Sequence, residues 1–344
     1  MTFGILGSGS WGTALAKILT DNGQHINWWN RSESAIDQFK VRHHNPQYLS
    51  SARFDMAKLT LTTNVEEVIN NSDTIVIAIP SAFAAEALSL LKKDIFKGKK
   101  IVSAIKGILP AENLLLNDYL KKDFGVELEN YFAVLGPCHA EEVAAEKLSY
   151  LTFTGIDEKI TTEIAGYFKT DYLNTVLNKD IFGVQYAAVL KNIYAVGAGI
   201  AHGLDYGDNF LSVLIANSAD EMAGFLRKAG IINAEVGYIE YDKSKQQMHT
   251  NYAASVYLGD LLVTCYSLHS RNRSFGNMIG KGYTVRAAQL EMSMIAEGYN
   301  ASRCMKILNE KIGAEMPIAN AVYRILWEGN QPQQAFNNME AELI

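Results

Sequence analysis

Phe3-Gly4-Ile5-Leu6-Gly7-Ser8-Gly9-Ser10-Trp11-Gly12, running on into Thr13-Ala14-Leu15-Ala16, decides the fold of this chain. A short apolar run leads into G-x-G-x-x-G, and the residues after it have helical character. In that setting each glycine has its own task. Gly7 permits a tight turn, Gly9 lets a pyrophosphate approach the backbone, and Gly12 lets helix and strand pack closely. The first amides of the helix and the positive end of its dipole face the phosphates. The expectation is a dinucleotide site at the start of a βαβ unit. The competing reading is a glycine-rich turn with no ligand.

Working outward, a second strand is expected over residues 25–29, ending at Asn30-Arg31. An NAD-specific site usually has an acid there, on the ribose 2′-hydroxyl. Arg31 suits a 2′-phosphate, or stacking on adenine, so NADP should at least be accepted. Glu33 is a nearby acid that keeps NAD open, and an exposed arginine without a ligand is the third reading. Strands follow over 73–79, 100–105 and 131–135, separated by helical stretches. Lys106 stands at the C-terminal end of one of them, where ligands of open α/β sheets bind; a solvent-exposed loop lysine is the alternative. Gly136-Pro137-Cys138-His139-Ala140 is a second tight turn feeding a helix. Residues 151–154 and 175–177 read as closing strands. The alternation predicts an α/β protein: a Rossmann-type, doubly wound, mostly parallel sheet over 1–181. An all-helical substrate-binding domain is expected over 182–344.

Composition bounds the function. The chain has 344 residues, enough for two domains, with 48% hydrophobic and 20% charged residues. A net charge of −6 argues against a general nucleic-acid binder, while a local basic pocket for a small anion stays open. Cys138, Cys265 and Cys304 lie far apart, which fits free thiols in a reducing, cytoplasmic setting. A strand begins at once, so no signal peptide is expected, and no apolar run is long enough for a membrane span. No His/Asp/Glu cluster suggests a metal.

The second half carries the chemistry. Residues 187–209, AAVLKNIYAVGAGIAHGLDYGDN, read as a long apolar helix with a single cation, Lys191. A buried ammonium needs a partner, and a lysine that snorkels to water is the bland account. Asp260, among apolar neighbours, is the partner expected here; a helix cap is the other reading of it. Ser270-Arg271-Asn272-Arg273 offers planar forks and an amide, the chemistry of phosphate capture, or else a solvated basic turn. Helices are expected over 211–226, 284–297, 301–312 and 318–327, with Pro317 at the start of the last.

Together these motifs resemble the NAD(P)-dependent glycerol-3-phosphate dehydrogenase family. The resemblance runs nearly end to end: GSGSWGTALA at Gly7, AIPS at Ala78, IKG at Ile105, GP-x-x-A-x-EVA at Gly136, LKN at Leu190, YGDN at Tyr206, LGDL-x-x-TC-x-S at Leu258, SRNR-x-FG at Ser270, EG at Glu297 and EMPI at Glu315. It implies reversible reduction of dihydroxyacetone phosphate to sn-glycerol 3-phosphate by NAD(P)H, feeding phospholipid synthesis. It implies Ser10, Trp11, Arg31, Lys106, Ala140, Arg271, Ile295 and Glu297 as cofactor contacts, beside the glycines. It implies Lys106, Gly136, Cys138, Lys191, Asp260, Ser270, Arg271 and Asn272 around the substrate, Lys191 moving the proton. The oligomeric state is not set by the sequence, and a homodimer is one option.

Three features depart from the family pattern. Cys138 stands where a serine is usual, and a thiol is the poorer hydrogen-bond donor. Ala216-Asn217-Ser218 replaces the usual Thr-Arg-Gly. The stretch from Met222 to Asp260 is longer than usual. The rival readings are a 3-hydroxy-acid or ketopantoate-type reductase, which leaves SRNR unexplained, and a catalytically silent NAD(P)-binding sensor.

Overall fold

The computed structural model describes residues 1–231, 239–242, 247–250, 255–292 and 294–343. The chain divides into two compact units, 1–105 with 114–181, and 106–113 with 182–344. Residues 106–113, sequence neighbours of the sheet, cluster with the helices of the second unit.

In the first unit strands and helices alternate: β1 Phe3–Leu6, α1 Ser10–Asp21, β2 Ile26–Trp29, α2 Glu33–Arg42, β3 Leu59–Thr62, α3 Val65–Asn70, β4 Thr74–Ile77, α4 Ser81–Ser89, β5 Lys100–Ser103, α5 Leu116–Phe124, β6 Tyr131–Leu135, α6 Ala140–Ala144, β7 Ser149–Thr154, α7 Glu158–Tyr167 and β8 Leu173–Asn178. They form one eight-stranded sheet in the order β3-β2-β1-β4-β5-β6-β7-β8. Every pairing is parallel except β6 with β7. β1, β4 and β6 are buried along their whole length. This explains why they read as unbroken apolar runs and not as alternation. The strand order reverses between β1 and β4, the switch point at which such sheets bind nucleotides. Trp28, Phe39 and Phe54 pack edge to face and tilted beneath β2, with ring centroids 5.3–5.6 Å apart.

The second unit is helical: α8 Ile181–Gly203, α9 Asp208–Lys228, α10 Asp260–Tyr266, α11 Arg271–Gly280, α12 Val285–Glu291, α13 Glu297–Ile312, α14 Pro317–Trp327 and α15 Pro332–Glu340. It also holds a two-stranded antiparallel ladder, β9 Ile239–Asp242 with β10 Gln247–Thr250. The ladder lies in the long 222–260 stretch, and the rest of that stretch between residue 232 and residue 254 is outside the described residues. The helix expected over 284–297 is two elements. Met292 takes an extended backbone that ends α12, and Glu297 opens α13. No glycine or proline marks that break.

Small residues set the crossing of α8 and α11. A β-carbon on Gly276 would lie 2.0 Å from the Val196 carbonyl oxygen, and one on Gly199 would lie 2.1 Å from that of Arg273. Gly280 and Gly203 make the same close approach one turn on, 2.4 Å from the Ile200 and Asn277 carbonyls. Only a residue without a side chain fits at these points, so the glycines lock the lysine helix to the SRNR helix backbone to backbone.

Candidate active site

The first unit presents a cradle at the C-terminal edge of β1. Gly7 has φ +120°, and a β-carbon there would press to 2.6 Å from the Ala78 carbonyl. One on Gly12 would collide with the Gly7 carbonyl at 2.2 Å. Gly9 is the contrast: a β-carbon there would meet nothing within 4 Å. Gly7 and Gly12 are therefore demanded by packing, while Gly9 keeps a space clear over the N-terminus of α1. Gly9 is also the N-cap of α1 and makes no side-chain cap. The first amides of such a helix have no intrahelical acceptor. Open space beside them fits the pyrophosphate of a dinucleotide.

Ser10 is buried and Trp11 half-buried at this helix start. Arg31 is exposed just beyond β2. Glu33, the alternative acid, accepts a 2.6 Å hydrogen bond from the Thr63 hydroxyl. Gly136 has φ +132°, with 3.0 Å between its would-be β-carbon and the Tyr150 carbonyl. The Cys138 thiol donates to that same carbonyl at 3.0 Å and is buried. Ala140 is buried at the first position of α6.

The second unit gathers most of the remaining expected residues. Lys191 is buried in α8, and its ammonium donates to Asp260 Oδ1. It donates again to Thr264 Oγ1 at 3.2 Å, and that hydroxyl in turn donates to the Asp260 carbonyl at 2.6 Å. Asp260 and Thr264 lie four residues apart on α10 and so share a face. Asp260 Oδ2 is buried and takes no hydrogen bond among the described residues. Beside them burial pushes the Cys265 thiol up to about 12, which keeps it protonated and inert.

The neighbouring Asn192 organises the rest. Its amide donates to the Lys106 carbonyl at 2.8 Å, and its Oδ1 accepts from Asn272 Nδ2 at 2.9 Å. Asn272 Oδ1 then accepts the Gly298 amide at 2.9 Å. This chain ties the Lys106 loop, α8, α11 and the start of α13 together. Glu297 and Ile295 flank that last junction and are half-buried.

At the head of α11 the expected residues take different places. Ser270 is the N-cap, its hydroxyl accepting the Arg273 amide at 3.3 Å. Asn272 is buried, and its amide is engaged at both ends. Arg271 is exposed at the first position of the helix, where backbone amides lack intrahelical acceptors. Asn217, the other departure, donates to the Val213 carbonyl at 2.9 Å within α9. Thr264 and Asn192 stand inside the LGDL-x-x-TC-x-S and LKN motifs, but were assigned no role from sequence alone. Signals for both were available: a hydroxyl one turn from Asp260, and an amide adjacent to Lys191.

Among the described residues no group of His, Cys, Asp and Glu could hold a metal ion. Among the same residues no helix is long and apolar enough to cross a membrane.

Comparison with known proteins gives one result along the chain. Residues 2–161 match the family described as NAD-dependent glycerol-3-phosphate dehydrogenase N-terminus, and residues 180–337 match its C-terminus. A glycerol-3-phosphate dehydrogenase [NAD(P)+] of Bacillus anthracis is 31% identical over 336 residues, covering 97% of this chain and 94% of the relative. The crystal structure of glycerol-3-phosphate dehydrogenase from Coxiella burnetii superposes with a TM-score of 0.86 at 28% identity, covering 98% of each chain. The Saccharomyces cerevisiae glycerol-3-phosphate dehydrogenase shares the fold, with a TM-score of 0.79 at 22% identity over 99% of each chain.

Proposed function

This chain belongs to the NAD-dependent glycerol-3-phosphate dehydrogenase family, and from that premise we propose that it interconverts dihydroxyacetone phosphate and sn-glycerol 3-phosphate with NAD(P)H. A reduced dinucleotide held by its pyrophosphate at the Gly7–Gly12 turn would supply the hydride that C2 of the ketone receives. Lys191 gives a proton to the carbonyl oxygen as charge develops there, and removes it in the reverse direction. Asp260 and Thr264 hold the ammonium in one place. Asp260 Oδ2, which takes no hydrogen bond among the described residues, is the acceptor left for a substrate hydroxyl. Arg271 and the head of α11 grip the phosphate, with Ser270 capping that helix. Lys106 is the second cation for the substrate, and its main chain is fixed by Asn192. Gly136 shapes its turn, while the Cys138 thiol, turned to Tyr150, makes no substrate contact.

Arg31 beside an engaged Glu33 supports acceptance of NADP as well as NAD. Ser10, Trp11, Ala140, Ile295 and Glu297 complete the cofactor contacts in this reading. Supply of sn-glycerol 3-phosphate to phospholipid synthesis, a homodimer and a cytoplasmic setting belong to the same proposal. The three free, buried cysteines support the last.

The observation that supports this mechanism above others is the buried Lys191, held by Asp260 and Thr264 on a helix locked to the SRNR helix. The test mixes the protein with dihydroxyacetone phosphate and either NADH or NADPH and follows absorbance of the reduced cofactor. Oxidation with at least one is expected. No oxidation with either overturns the reading and favours the silent sensor.

A further inference from the structure

The carbonyls of the glycine turn are held from behind by Trp28 and Asn45, brought from elsewhere in the first unit, and by Thr13 of α1, whose main-chain amide also donates to the Gly9 carbonyl at 2.9 Å. Trp28 Nε1 donates to the Gly7 carbonyl at 3.0 Å. Asn45 Nδ2 donates to the Ser8 carbonyl at 2.9 Å and to Thr13 Oγ1 at 2.8 Å. Thr13 Oγ1 then donates to the Gly9 carbonyl at 2.9 Å. Trp28, Asn45 and Thr13 are all buried, at 0%, 3% and 0% exposure. The orientation of the Asn45 amide is fixed by its partners. Its Oδ1 accepts the Gln47 and Tyr48 amides at 3.0 and 3.2 Å, and its Nδ2 meets a carbonyl, which can only accept.

A carbonyl carries partial negative charge, so one turned outward at this loop would repel a pyrophosphate. Peptide groups are planar, and anchoring successive carbonyls on the protein side restricts where the intervening amides can point. Donors that are already aimed cost no reorganisation when the anion arrives.

We propose that Asn45 is a positioning residue for the dinucleotide: with Thr13 and Trp28 it ties the Gly7, Ser8 and Gly9 carbonyls inward and leaves the turn's amides for the pyrophosphate. The inference rests on the glycine-turn reading above and adds residues that the G-x-G-x-x-G pattern does not contain. Asn45 lies 37 positions from Ser8 and acts only through it and Thr13.

Asn45→Asp keeps the acceptor for Gln47 and Tyr48 but removes both donors, and it draws the Thr13 hydroxyl proton away from Gly9. Thr13→Val removes the link without adding charge, and Thr13→Ser restores it. The measurement is the NADH and NADPH dissociation constant by fluorescence titration, beside the melting temperature of the ligand-free protein and steady-state kinetics. Asn45→Asp should weaken cofactor binding by about ten-fold or more, as loss of one or two hydrogen bonds implies, and Thr13→Val by less, since the Thr13 amide still holds the Gly9 carbonyl. Turnover at saturating cofactor and the KM for dihydroxyacetone phosphate should stay within about two-fold of the parent, and Thr13→Ser should bind like the parent. Folded variants with parental dissociation constants overturn the role of Asn45 while leaving the dinucleotide reading intact. A parent protein that binds neither cofactor overturns both.

Discussion

The Lys191 ammonium and the Asp260 carboxylate form a hydrogen-bonded ion pair in the interior, with 4% and 1% of the two side chains exposed. Removing one member of such a pair leaves the other charged and unpaired, at a cost of about 3–5 kcal/mol. Lys191→Met should therefore lower stability by that order and reduce turnover by at least about a hundred-fold. NADH binding should persist. Adding Asp260→Asn removes the orphaned charge, so the double variant should regain part of the stability and none of the turnover. Urea unfolding and absorbance of the reduced cofactor read the two effects separately. Parental turnover in Lys191→Met would remove the lysine from the mechanism.

Arg271 and Asn272 are adjacent but do different things. Arg271 is exposed, while Asn272 is buried and bonded to Asn192 and Gly298. Arg271→Ala should raise the KM for dihydroxyacetone phosphate by about ten- to a hundred-fold, the worth of a charge-assisted bond, with little change in melting temperature. Asn272→Ala should lower the melting temperature itself, because it leaves the Asn192 and Gly298 partners unsatisfied in the interior. Equal melting temperatures and equal KM values for the two variants would contradict this division.

The Gly276–Val196 approach predicts a strong effect from one added methyl. The β-carbon of Gly276→Ala would lie 2.0 Å from a backbone oxygen, so α8 and α11 must separate. Overpacking of this kind costs about 1–3 kcal/mol, occasionally more. The helix shift also moves Arg271 relative to Lys191, so the KM for the phosphorylated substrate should rise together with the fall in melting temperature. Gly224→Ala is the control, since a β-carbon there meets nothing within 4 Å. A Gly276→Ala protein as stable as Gly224→Ala would refute the close-crossing account.

Much of this was legible in the chain. Unbroken apolar runs such as Tyr131–Leu135 announce strands buried on both faces, and the glycine turn announces the switch point. Asp260 was found as the partner of Lys191 because a lone acid and a lone base in apolar helices each need one. What escaped depends on tertiary placement. Asn45 reaches the glycine turn only because the segment after α2 folds back over it. The bonds of Asn272 to Asn192 and Gly298 span 80 and 26 residues, which its cationic sequence neighbours do not announce. The end of α12 carries no local stop signal. The β9–β10 ladder lies in a polar stretch without clear periodicity.

Glu221 supplies a prediction about pH. Pro317 opens α14 and has no amide hydrogen, so Ile318 and Ala319 carry orphan amides at that helix start. The buried Glu221 carboxylate takes both, at 2.7 and 3.0 Å. Burial pushes its carboxyl up from 4.5 to about 7, against the opposing pull of the two amides and the Tyr194 hydroxyl. Between those values the folded protein holds a proton that the unfolded chain has released. The stabilising contribution of this proton is full below about 4.5 and is lost as the pH rises through about 7, roughly 3 kcal/mol over the whole window. The parent should therefore lose stability between pH 5 and pH 8 by about that order. Glu221→Gln cannot ionise and should show a flatter profile, although it begins lower because its amide group sets a donor against one of the two orphan amides. Urea unfolding of both proteins across this range checks it, and parallel profiles would mean that Glu221 does not titrate there.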